Sequence, residues 1–294
     1  MKNKITSVLR ILVCILMVFA IIGTFGIIMA DKVYTPEYLI AQAANTNTYD
    51  NAYNSLMKRF SDNYSISNIP IEVYENSFTQ EWTKKAVDEK INSTFEKRNE
   101  VIDCSASEEN ITEYFETYAH EEHVIKDEIY ENKLVESIDY AQKTALNEAD
   151  VYSLDVMKRA GILNKLSSYA ELIRKYMYAC FSGLAILLII MIILKRSTYW
   201  IGTALFSSGM LLLIPSVIIK AENMIQKFSL KNFTTYTLVT ETLDSLNDIV
   251  LVTGCVLLGS GILLIAVHCI FSRHKEVKLQ IIDGENDYFF KLNC

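Results

Sequence analysis

Glycine, proline and histidine are scarce in this chain, with ten, three and four residues in 294. From Asp31 to Ala160 there is no glycine at all, and Pro36 and Pro70 are the only prolines of that stretch. Tight hairpins favour glycine at positive φ, so the sequence argues against a β-rich fold there. Cysteine is also sparse. Cys104 is the only one between residues 31 and 175, so no intramolecular disulfide is available to that segment. About 145 residues bury an adequate core without one. No phosphate loop, dinucleotide fingerprint or Gly-x-Ser-x-Gly elbow occurs, which removes the most readable enzyme classes.

Charge is missing in four places. Residues 11–30, 176–194, 199–219 and 249–271 are apolar runs without Asp, Glu, Lys or Arg, each long enough to cross a hydrocarbon core as a helix. The first has a basic start but exceeds a signal core and lacks a small-residue cleavage pair, so it reads as an uncleaved anchor. Lys2, Lys4 and Arg10, then Lys195 and Arg196, then Arg273, Lys275 and Lys278 flank the runs on one side. Lys220, Lys227 and Lys231 oppose them, and the larger set predicts a cell-membrane protein with both termini cytoplasmic. Tyr176, Tyr178, Tyr199 and Trp200 stand at run ends, where headgroups favour amphipathic rings.

The expected architecture is an all-α membrane protein. Four transmembrane helices carry a large, mostly helical extracytoplasmic domain over 31–175 between the first and second. A cytoplasmic N-terminus (1–10), a tight turn (195–198), an outer loop (220–248) and a cytoplasmic tail (272–294) complete it. Residues 31–175 hold 27 acidic against 16 basic residues, a net charge of −11, which repels nucleic acid and anionic headgroups. Tyr53, Leu56, Met57, Phe60 and Tyr64 share one helical stripe. "SFTQ" (77–80) and "SASE" (105–108) read as capping boxes. Val151, Leu154, Met157, Leu166, Tyr169 and Ile173 lead towards the second span, with Gly161 as the break. The outer loop reads as short helices. The tail "EVKLQIIDGENDYFFKL" (276–292) alternates around Asp283-Gly284 and reads as a small β-hairpin.

One stretch looks like a metal site. On a single helix over 111–130, Glu116, His120, His123 and Asp127 stack at spacings of four, three and four. Zinc or manganese accepts such ligands. Phe115, Tyr118, Ile125 and Ile129 cluster on the opposite side, which makes the four polar residues the solvent face. His-Glu-Glu-His also departs from the zinc-protease spacing. The expectation is therefore no metal, no cofactor and no catalysis, with these four residues as the weak candidate set. "DGEND" (283–287) lacks the glycine position and terminal glutamate of a calcium loop and reads as a turn.

The runs carry no ionisable side chain except His268 near one end, whereas transport paths usually show such groups at mid-membrane. Ala179 and Gly183, and Ala204 and Ser208, have the four-residue spacing of close helix packing, either within the chain or in a homo-oligomer. The sequence thus points to a non-catalytic integral membrane protein whose acidic outer domain binds, senses or assembles at the cell envelope. Its expected partners are membrane lipid and another protein, not nucleic acid. A transporter or an accessory subunit of one, and a membrane-bound, metal-dependent enzyme, are the competing readings. Abundant Ile, Lys, Asn and Tyr is the composition of AT-rich bacterial genomes.

Overall fold

The structure is a computed structural model that describes residues 2–194, 197–229 and 233–291, with backbone alone for 2–4 and 272–291. It is all-helical, and the described residues contain no strand. Two compact units divide the chain. One is a bundle of Met1–Ala30, Leu172–Ile225 and Asp244–Cys294; the other is a domain of Asp31–Glu171 and Gln226–Leu243.

Four helices are long and apolar enough to cross a membrane: α1 (Lys2–Val33), α10 (Ile162–Ile193), α11 (Ser197–Ala221) and α12 (Phe233–Lys291). All four extend past the apolar runs that announce them, α11 by only two residues at each end, because a helix once nucleated continues through polar residues unless something stops it. Gly161 is such a stop. It adopts φ +69, a left-handed conformation that glycine takes without cost, and α10 begins at the next residue. The loop expected over 220–248 is correspondingly short. Among the described residues between α11 and α12 the one helical element is a 3₁₀ turn (Ile225–Lys227), and α12 takes up residues 233–248 as its opening turns. The C-terminal hairpin is not formed either. The backbone stays helical through Lys291, and 292–294 lie outside the described residues. An isolated hairpin is marginal in water, whereas a helix already running extends one bond per residue.

Within the bundle, Met17, Val13 and Cys14 of α1 pack with Met191 of α10 and Ala204 of α11. The Ala204 and Ser208 pair is buried as its spacing suggests, while Ala179 is exposed and nothing lies within 4 Å of a Cβ placed on Gly183. Helices α11 and α12 meet through a seam absent from the sequence reading. A Cβ on Gly202 would lie 3.0 Å from the Gly261 carbonyl, and one on Gly209 would lie 2.7 Å from that of Gly254. One heptad further on, Ser216 meets Asn247. The pairs 202/261, 209/254 and 216/247 step by seven residues in opposite directions, the register of two antiparallel helices in close contact. Arg10 Nε and Nη2 donate to the Leu194 carbonyl at 3.0 and 2.6 Å, satisfying a free acceptor at the end of α10. The rings of Tyr199 and His268 lie 5.7 Å apart. Arg10, Leu194, Tyr199 and His268 therefore share one end of the bundle, and the Lys220–Asp248 ion pair (2.6 Å) marks the other.

The domain contains α2 (Pro36–Asn45), α3 (Thr48–Asp62), α4 (Tyr64–Ser67), α5 (Ile71–Ser77), α6 (Gln80–Glu96), α7 (Ser105–Glu121), α8 (Glu128–Ala149) and α9 (Leu154–Arg159). One core gathers Leu56, Met57 and Phe60 of α3 with Tyr74, Ile111, Ala141 and Ala145. Phe60 stacks on Tyr74 at 3.9 Å between ring centroids. The α3 stripe is thus the buried face, except that Tyr64 falls beyond the helix end and is exposed. A second core joins Ala86, Val87 and Ile91 of α6 to Ala149, Leu154 and Leu238. The missing glycines are replaced by Asn47, Asn68, Lys97, His123 and Ser153, all at φ between 51 and 56. Asparagine tolerates this conformation best; each of the others adds roughly 1 kcal/mol of strain.

Both capping boxes announce a helix at a shifted position. Thr79, not Ser77, accepts the Trp82 amide at 3.1 Å ahead of α6, and Asp103 accepts the Ser105 amide at 2.9 Å ahead of α7. Their competence is ordinary: any short oxygen side chain one or two residues outside the helix serves an open amide.

Candidate functional site: an aromatic-floored groove in the helical domain

The four residues flagged by the sequence do not converge. Helix α7 stops at Glu121, His123 turns left-handed at φ 52, and α8 starts afresh at Glu128. Asp127 is the N-cap of α8, its Oδ1 accepting the amides of Ile129 (3.1 Å) and Tyr130 (3.0 Å). Glu116 faces Lys126 at 3.7 Å. All four side chains are exposed, and no group of three or more His, Cys, Asp or Glu able to hold a metal occurs among the described residues. The opposite stripe dissolves too: Phe115 packs on the core, but Ile125 and Ile129 are 80% and 64% exposed. The signal for the break was present in "KDEIYE", an aspartate followed by glutamates in the first turn, which is how a helix begins.

The domain instead offers a groove of about 410 Å³ built from four segments. Its floor is Tyr74, 1% exposed, with Phe115 beside it. One wall is the kinked link from α3 to α5, where α4 makes a single turn and Asn68 at φ 52 reverses the chain. Tyr114 Oη donates to the Asn68 carbonyl at 2.7 Å and holds that reversal. The other wall is α8. Its Leu134, Ile138, Ala141 and Ala145 serve the core, which leaves Lys133, Glu136, Ser137 and Tyr140 along the neighbouring face at helical spacings. The Asn63 amide donates to Tyr140 Oη across the groove. Lys133, Glu136 and Ser137 make no hydrogen bond or ion pair with the described residues. Burial raises the pKa of the Tyr74 hydroxyl, which keeps the floor uncharged.

Two other polar clusters have their groups committed. Lys90 of α6 is buried, with Nζ 2.8 Å from Glu100 and 2.8 Å from Asp155. Burial works to lower its pKa, but the bonds to Asp155 and Glu100 together raise it. Asp150 caps α9 through the amides of Leu154 (2.6 Å) and Asp155 (3.0 Å), while burial raises its own pKa. In the bundle, Ser216 Oγ lies 2.8 Å from Asn247 Oδ1, and Asn247 Nδ2 donates to the Ser216 carbonyl at 3.2 Å. Ser208 donates to Ala204 at 2.8 Å within its own helix. No Asp, Glu, Lys, Arg or His is buried among the described residues of the bundle. Comparison of the chain with protein-family models, with curated proteins and with solved structures finds no match.

Proposed function

We propose that this is a non-catalytic, multi-pass protein of the cell membrane whose helical domain, over residues 31–171 and 226–243, lies outside the cytoplasm and binds or senses a ligand there. The groove between α4 and α8 carries this reading, because it leaves Lys133, Glu136 and Ser137 uncommitted beside an aromatic floor. Binding sites of small ligands combine an apolar surface with a few free polar groups in this way. The bundle supports the complementary half. The buried Asn247 amide and Ser216 hydroxyl bond one another, the buried Ser208 hydroxyl bonds the Ala204 carbonyl of its own helix, and a helix pair sealed by glycine contacts leaves little room for a hydrated path. The basic residues that flank α1, the α10–α11 turn and the end of the fourth apolar run support cytoplasmic termini.

The test is photocrosslinking in intact cells, with a photoreactive residue at Ile66 on the groove rim or at Glu109, exposed on α7. The reading expects a discrete adduct from Ile66 and none from Glu109. Equal adducts from both, or none from Ile66, would remove its support.

A further inference from the structure

We infer that the groove takes a small zwitterion with an apolar side chain, that is, a free α-amino acid of the aromatic or branched class. The inference rests on the binding role proposed above and adds the chemistry of the ligand. Lys133 and Glu136 stand three residues apart on one face of α8, a spacing at which opposite charges ordinarily pair. They do not pair here, and neither finds another partner among the described residues. A neutral ligand leaves both charges idle, and a ligand with one charge leaves one idle. An amino acid engages both, its carboxylate on the Lys133 ammonium and its ammonium on the Glu136 carboxylate. Its side chain then falls on Phe115, the partly exposed ring of the floor, with Tyr74 buried beneath, and Ser137 is left to bond the same carboxylate or ammonium. A volume of about 410 Å³ admits such a molecule with room for water and is small for a folded partner.

The probe is L-phenylalanine, titrated calorimetrically into the full-length protein in nanodiscs. N-acetyl-L-phenylalanine blocks the ammonium and L-phenylalaninamide blocks the carboxylate. Saturable one-to-one binding of phenylalanine is expected, with each blocked analogue weaker by roughly tenfold or more, the weight of one hydrogen bond to a charged group. Lys133→Met should bring phenylalanine down to the level of the amide without weakening the amide further. Glu136→Gln should bring it down to the level of the acetyl compound without weakening that compound. Both side chains are exposed, so an unchanged thermal midpoint is expected of each variant. Absence of saturable heat at millimolar phenylalanine, blocked analogues that bind as tightly as phenylalanine, or indifference to both substitutions would overturn the inference. Discrete crosslinks from Ile66 without zwitterion binding would overturn it while the binding role stands. Zwitterion binding in nanodiscs with the groove shown to face the cytoplasm would do the reverse.

Discussion

Gly209→Ala tests whether the α11–α12 seam holds the bundle. The added Cβ would lie 2.5 Å from the Leu258 nitrogen, 2.7 Å from the Gly254 oxygen and 2.9 Å from the Leu258 Cα. All three are backbone atoms, so no rotamer change relieves the clash. Ordinary contact between carbons is about 3.5–4.0 Å, and α12 must therefore withdraw by about 1 Å along its length. Overpacking of this kind costs about 1–3 kcal/mol, and withdrawal also loosens the Ser216–Asn247 contact one heptad away. Alanine recovers roughly 0.5–1 kcal/mol of helix propensity, so the expected net loss is about 1–2 kcal/mol. Gly259→Ala is the control on the facing helix α12, with nothing within 4 Å of its Cβ, and should be neutral or slightly stabilising. Adding Gly261→Ala to Gly209→Ala should cost less than the sum, since both clashes are relieved by the same withdrawal. Unfolding in mixed micelles on titration with denaturing detergent, followed by helical circular dichroism, reads all three. Wild-type stability for Gly209→Ala, or a larger loss for Gly259→Ala, would refute the seam.

Lys90→Met should destabilise the domain by about 2 kcal/mol. Breaking a buried pair costs about 3–5 kcal/mol, less here because water reaches both carboxylates. Chemical denaturation of the full-length protein in micelles would show it, and adding Glu100→Gln and Asp155→Asn should restore much of the loss. The pH dependence has the same sign at the two neighbours, because both folded pKa values are raised and stability falls as pH climbs through each. Lys90, with its pKa raised, contributes stability below the ordinary lysine pKa and loses it as pH climbs through the folded value. Asp150, also raised, costs stability as an anion, and the domain gains as pH falls through its folded value towards 3.8. Asp127→Ala should cost about 1 kcal/mol through its lost cap, while His120→Ala with His123→Ala should leave the thermal midpoint and metal content unchanged. Mass spectrometry and thermal melts distinguish these variants, and a stoichiometric metal lost with the histidines would reinstate the site set aside above.

The spans were legible because twenty uncharged residues have one common explanation, and the α3 stripe because Leu56, Met57 and Phe60 recur at helical spacing. The expected stacking of Glu116, His120, His123 and Asp127 came from treating 111–130 as one helix, where the structure has two. No glycine or proline marks the break there, since His123 takes the left-handed turn itself. The seam was written in the spacing Gly202–Gly209 and Gly254–Gly261, but a period of seven on each helix does not say which helix answers it. The groove was not readable at all. Its walls come from Asn63–Asn68 and Lys133–Tyr140, about seventy residues apart, and no local pattern records that α4 will stop one turn after it starts. The same holds for Lys90, whose partners arrive from a loop and from α9.

The most direct measurement is the labelling of Glu136→Cys by a membrane-impermeant maleimide in intact cells, read residue by residue by mass spectrometry. Glu136 lines the groove and is open to solvent, so its thiol should react without permeabilisation. Modification only after the membrane is opened would put the groove on the cytoplasmic side and contradict the account.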